Sequence, residues 1–120
     1  MSNLIHLTDR IDVDDTRQFY LLPEKDRQRL CNWIEQYVIP CKTKTTRADS
    51  VNSYELKHLF GKNGGFYVVN GAMKGAMLEY DFDVYNEDFL NWNFNVGRKV
   101  FKVVDPEGAA RDRLIARGMY

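Results

Sequence analysis

The chain has 120 residues and 14.1 kDa, with 44% hydrophobic and 28% charged side chains. That composition excludes a disordered, collagenous or low-complexity polymer, and the length fits a single domain with its own core. Seventeen Lys and Arg offset seventeen Asp and Glu, and zero net charge speaks against a protein that coats nucleic acid by charge alone.

The neutrality hides blocks. Residues 1–40 carry net −2, 41–75 net +4, 76–96 net −5 and 97–120 net +3. Such blocks suit a molecule with one acidic and one basic face. No apolar run approaches the ~18 residues of a membrane span. The first residues, MSNLIHLTDRIDVDD, lack the basic start and apolar stretch of a secretion signal. Two cysteines are too few for a disulfide scaffold, so a reducing, cytoplasmic setting is the expectation.

In chain order, the first fifteen residues are polar and acidic and read as an arm or a short edge strand. Pro23 opens a helix with Glu24 and Asp26 in its first turn, and Leu30, Ile34, Tyr37 and Val38 share one face. Pro40 is expected to stop it. The Thr-rich segment 41–52 reads as a loop. Asn52 and Glu55 have the spacing of a capping box. The helix Ser53–Phe60 then turns Leu56, Leu59 and Phe60 inward and ends at Gly61. Phe66–Val69 reads as a short strand. Asn70 is placed to cap a helix to Tyr80, with Met73 and Met77 at helical spacing and small residues that permit close approach. NWNFNV, residues 91–96, alternates Trp92, Phe94 and Val96 with three Asn, as a half-buried strand would. Gly97-Arg98 reads as a hairpin turn and Lys99–Val104 as the returning strand. Asp105, Pro106 and Glu107 open a last helix.

That order is the order of a winged helix. The expected fold class is therefore α+β, a small winged-helix-like domain with about four helices and a short antiparallel sheet. Residues 1–20 form its arm, 21–104 its core and 105–120 its C-terminal helix. Helix 70–80 would be the recognition helix, and Arg98 with Lys99 would tip the wing. A three-stranded sheet with helices on one face is the other arrangement this order allows.

The stretch SYELKHLF, GGFYVVNGAMKGAML and NWNFNV resembles a group of small proteins from phages, prophages and other mobile elements. Their pattern is roughly SYxLKHxF, GxYVxNGxFKGAML and NWxFN. The likeness covers residues 53–96, through Tyr54, Leu56, Lys57, His58, Phe60, Tyr67, Val68, Asn70, Gly71, Lys74, Gly75, Ala76, Met77, Leu78, Asn91, Trp92 and Phe94. Met73 stands where the group has Phe. The resemblance implies a mobile-element origin and a bacterial host, and it carries no activity. The helix-and-wing pattern is also similar to the winged-helix tails of some phage primases.

Few residues suggest catalysis. Glu55 could orient His58 for general-base work, with Tyr54 one turn away, but no nucleophile completes a triad, and a surface ion pair explains the pair as well. Cys31, Cys41, His6 and His58 have no zinc-type spacing, so neither metal nor cofactor is expected. KNGGF and NGAMKG match no nucleotide-binding loop. Trp33, Trp92 and Phe94 sit in apolar periods and read as core.

Binding surfaces are better represented. Glu79, Asp81, Asp83, Tyr85, Glu87 and Asp88 lie in a stretch where acids and aromatics interleave, and no Lys or Arg occurs between Gly75 and Gly97. Acids so spaced can imitate a nucleic-acid backbone while aromatics anchor a protein partner. The plainer reading is a solvated acidic loop whose aromatics fold back into the core. A second set, Lys42, Lys44, Arg47, Asn70, Lys74, Arg98 and Lys99, could contact phosphates. The C-terminal helix, with Arg111, Arg113, Leu114, Ile115 and Arg117, could dock on a second copy.

The leading expectation is a non-enzymatic phage or mobile-element accessory protein. It would bind and inhibit a host protein, in the manner of an anti-defence or anti-CRISPR factor, its target a nucleic-acid-handling nuclease complex. The alternative is a winged-helix DNA-binding regulator or replication accessory. A virion or scaffold component is a third expectation.

Overall fold

The computed structural model describes residues 11–116. Six α-helices lie among the described residues: α1 Gln18–Leu21, α2 Glu24–Trp33, α3 Ser53–Lys62, α4 Asn70–Glu79, α5 Lys99–Val104 and α6 Pro106–Ala116. Among the described residues only isolated bridges, Lys42 with Val96, Asn52 with Asn93 and Val84 with Phe94, represent β-structure. The expected α+β winged helix is therefore incorrect. No antiparallel sheet and no hairpin form among the described residues. No helix there is long and apolar enough to cross a membrane.

The local signals at helix starts hold except at α4, where Asn70 is the first helical residue rather than the cap and Val69 precedes it with no side-chain capping bond. Pro23 precedes α2, with Glu24 and Asp26 in its first turn. Past Trp33 the helix widens into a π segment, Ile34–Val38, and then tightens into a 3₁₀ turn, Ile39–Cys41. Pro40 lacks an N–H and crowds the preceding turn, so the regular ladder cannot run through it. Leu30, Ile34 and Val38 nevertheless keep one buried face. The capping box forms as read: Glu55 N–H donates to Asn52 Oδ1 at 2.9 Å, and Asn52 N–H donates to Glu55 Oε1 at 3.2 Å. At α6, Gly108 N–H donates to Asp105 Oδ1 at 3.0 Å.

Helix α4 is the centre of the molecule. Every residue from Asn70 to Met77 is buried, as expected of a helix that is small or apolar nearly all round. Residues 14–19 lie directly on it. A Cβ on Gly71 would overlap the Asp15 carbonyl, and one on Gly75 would overlap the Thr16 carbonyl and Phe19 Cβ. Gly71 N–H donates to Val13 O at 2.8 Å, so backbone meets backbone there. Buried α4 cannot enter a DNA groove, which removes the recognition helix of the winged-helix reading.

The three expected strands fail for separate reasons. Residues 65–69 are irregular and have no strand partner among the described residues; Val68 is buried and Tyr67 is exposed with Lys57 over its ring. Lys99–Val104 coils into α5, because Val100 and Val104 are also four apart and both are buried. Residues 92–97 form an irregular segment, bent at Asn95, that changes neighbours at almost every step. Ser53 N–H donates to Trp92 O, Phe94 N–H to Val51 O, Tyr85 N–H to Asn93 O and Thr43 N–H to Asn95 O. This spine crosses the core, so its asparagines are not on a solvent face: Asn93 and Asn95 are buried beside Phe94 and Val96.

Candidate functional site

The chain past α4 turns sharply at Asp81, whose φ of 58° is the left-handed value that short polar side chains tolerate. Phe82 then plugs into the core at 3% exposure and anchors the segment. All five acids that follow the helix interior, Glu79, Asp81, Asp83, Glu87 and Asp88, are exposed. Tyr85, Phe89 and Leu90 stand out between them at 55%, 65% and 63% exposure. Of the expected partner-binding set, every member is at the surface; of the aromatics in this stretch, Tyr80 and Phe82 pack against the core while Tyr85 and Phe89 project. Phe89 and Leu90 belong to this surface and were missed. Their sequence signal is two large apolar residues closing an acidic run, with no periodic partner on either side.

Two asparagines set the shape of this surface. Asn95 Oδ1 accepts from Asp83 N–H at 2.8 Å, while its Nδ2 donates to Thr43 O at 3.0 Å. Asn93 Nδ2 donates to Ser50 O at 2.6 Å and Ala48 O at 3.2 Å, and its Oδ1 accepts from Asn86 Nδ2 at 2.8 Å. Asn86 returns the contact by accepting Asn93 N–H. These amides fix the acidic loop 83–86 and the Thr-rich loop 43–50 to one spine. The side-chain amides of Asn93 and Asn95 have partners on both their oxygen and their nitrogen, which is what lets these polar side chains sit in a core.

The exposed basic residues Lys42, Lys44 and Arg47 therefore lie in a loop tethered to the same spine as the acids. Lys42 Nζ reaches Asp81 O at 3.5 Å and lies over the Phe82 ring at 5.0 Å. The acidic and basic blocks meet rather than occupy opposite faces. The remaining members of the phosphate-binding set are scattered. Asn70 is the first residue of α4, and its Nδ2 faces Asp14 Oδ1, Leu90 O and Asn91 Oδ1 at 2.9–3.1 Å. Lys74 is 3% exposed, with Nζ 3.4 Å from Asp14 O and 4.6 Å from the centre of the Trp92 ring. Its pKa is pushed down by burial, against the opposing pull of Asp14 and Asp12. The start of α4 is thus covered by residues 13–15 and offers no opening to a phosphate. Arg98 grips Glu55 through two bonds of 3.1 and 3.0 Å and lies over Phe101. Lys99 is exposed at the start of α5.

Glu79 extends the acidic surface toward α1 and α2. It accepts the Tyr20 hydroxyl, and Tyr80 donates likewise to Glu35. These pairs line a recess of about 710 Å³ with Glu24, Arg27 and Cys31. Burial, then the bonds to Glu35 and Cys31 O, holds the Tyr80 pKa well above the ordinary tyrosine value.

The His58 constellation is differently arranged from the general-base reading. Glu55 is committed to Arg98 and to the Asn52 N–H, and the His58 ring stands edge-on to Tyr54 at 4.3 Å. Both line a groove of about 530 Å³ between α3 and α5–α6, with Lys62, Phe101 and Asp112. Cys31 and Cys41 are free thiols; Cys41 is buried, and burial raises its pKa. His6 and Arg117 lie outside the described residues. Among those described, no group of three or more His, Cys, Asp or Glu is placed to hold a metal ion. Leu114 and Ile115 of α6 are exposed. Comparisons with protein-family models, curated proteins and solved structures find no match for this chain.

Proposed function

We propose that this chain is a non-enzymatic accessory protein of a phage or other mobile element, acting in the host cytoplasm. It binds and inhibits a host protein that handles nucleic acid, through the surface formed by residues 79–90. One observation carries the reading. Five carboxylates are exposed around a buried Phe82 anchor, with Tyr85, Phe89 and Leu90 projecting among them. Carboxylates on a fixed loop present spaced negative charge to a basic groove, and large apolar side chains beside them supply the desolvated contacts that hold a protein partner. The mobile-element resemblance of residues 53–96 supports an accessory role against host machinery. Tyr20 and Glu79 widen the same surface.

The test compares the native chain with a variant carrying Asp83→Lys, Glu87→Lys and Asp88→Lys. All three side chains are exposed and none sits at the left-handed turn, so the variant is expected to keep its fold by circular dichroism. Native chain immobilised with host extract should retain a nucleic-acid-binding protein that added duplex DNA displaces, and the variant should lose it. Equal retention by both, or retention that duplex DNA does not disturb, would sink the proposal.

A further inference from the structure

Two Asn-Gly pairs occur in the chain, Asn63-Gly64 and Asn70-Gly71. Their surroundings are opposite. Asn70 is buried inside the start of α4, three acceptors face its Nδ2, and the Gly71 N–H is tied to Val13 O at 2.8 Å. Asn63 closes α3 in a tight turn. Gly64 follows with φ of 77°, a value open to glycine and strained for most other residues. Gly64 is exposed, and its N–H has no acceptor among the described residues. The turn faces a shallow recess of about 250 Å³ shared with Arg29, Gln36 and Tyr37.

We propose that Asn63 is a site of self-catalysed deamidation, with the Gly64 backbone nitrogen as the nucleophile and Trp33 as the activating group. The Trp33 indole N–H donates to Asn63 Oδ1 at 3.1 Å. Indole is a donor only, so this contact fixes which amide atom is the oxygen. A donor on that oxygen polarises Cγ and stabilises the oxyanion that forms when Cγ is attacked. Arg29 adds positive charge, its guanidinium bonded to Gly64 O at 3.0 Å and seated over Phe66.

In the first step the Gly64 nitrogen bonds to Cγ and the Cγ–Nδ2 bond breaks. Ammonia leaves, taking up the proton that Gly64 loses, and a five-membered imide remains. Water then opens the imide at either carbonyl and leaves aspartate or isoaspartate. No oxidant or cofactor takes part. The product carboxylate stands beside Arg29, and the isoaspartate form adds one backbone carbon to the turn that Gly65 closes by its bond to Phe60 O.

The test incubates the folded, full chain at mildly alkaline pH and follows amide loss by peptide mass spectrometry. Conversion at Asn63 is expected to exceed that at Asn70 by more than about tenfold, because Asn70 reacts only when the core opens. Gly64→Ala should suppress it through the blocked approach, and Trp33→Phe should slow it while the chain stays folded by circular dichroism. A denatured sample supplies the intrinsic rates, at which both pairs should react alike. Equal conversion at the two sites in the folded chain, or none at Asn63 while the denatured chain converts, would overturn the proposal. A Trp33→Phe rate equal to the native one would overturn the role given to Trp33.

Discussion

Lys74 is a cation held where water cannot reach it, with one long hydrogen bond and an aromatic ring for company. Met matches its length and carries no charge, so Lys74→Met is expected to raise stability by about 1 kcal/mol in urea unfolding. The gain should shrink with alkali. The folded-state pKa of Lys74 lies below the unfolded value, so the native chain binds fewer protons than the unfolded one as pH rises toward 10.5, and its penalty is relieved there. A gap that widens with pH would refute the assignment. Gly71 poses the reverse problem: no side chain fits between α4 and the Asp15 carbonyl. Gly71→Ala should cost about 3 kcal/mol or more, read as a fall in urea midpoint, because backbone on both sides must move. The sequence already pointed to close approach at Gly71 and Gly75. It could not name the partner, since residues 14–19 carry no periodic signal and lie half the chain away. Lys74 reads as a phosphate contact for a related reason: a charged residue suggests the surface until the segment that covers it is known.

At the scale of elements, the legible features were those written in adjacent residues. The Asn52–Glu55 capping box, the Pro23 helix start and the Asp105 cap all depend on contacts within four residues, and all three formed. Strands depend on a distant partner, and among the described residues only isolated bridges are supplied. KVFKVV satisfies both a period of two and a spacing of four, and burial of Val100 with Val104 decided for the helix. NWNFNV satisfies alternation, but its asparagines meet backbone groups in the core, which alternation cannot distinguish from facing water. Asn93→Ala would strip hydrogen bonds from Ser50 O, Ala48 O and the Asn86 amide at once. The expected loss is about 2–4 kcal/mol in urea unfolding, with faster amide exchange in both tethered loops. A loss below that of an ordinary surface mutation would show that the spine does not depend on this amide. Tyr80 reports on the contact between α4 and α2. Its pKa is raised in the folded state, so its contribution is full below the ordinary value of 10.0 and fades as pH climbs beyond it. Tyr80→Phe should therefore flatten the fall of thermal midpoint above that pH. An unchanged alkaline slope would dissociate the effect from this residue.

Over the whole molecule, net neutrality conceals a dipolar loop pair. The acids of 79–88 and the cations of 42–47 are held by Asn95 to the same strand of backbone. A basic partner would be steered by the acids and turned by the cations, so its association rate should fall about tenfold or more from low to physiological salt, with a smaller change in dissociation rate. Stopped-flow at several salt concentrations checks this once a partner is in hand; a salt-independent association rate would contradict it. The acidic stretch was legible as composition. Its partition into a buried Phe82 and projecting Tyr85, Phe89 and Leu90 was not, because that depends on where the turn at Asp81 aims the chain. The seating of residues 14–19 on α4 also bears on how the protein comes into being. Asp14 precedes its partner Asn70 by 56 residues. At a synthesis rate of about 5–20 residues per second, roughly three to eleven seconds separate their emergence from the ribosome. For that interval Phe19 has no cover, and the core of the nascent chain closes only when α4 arrives. A stalled chain that stops short of Gly75 would therefore be open to proteases and chaperones along its first half, whereas one that has released α4 would not.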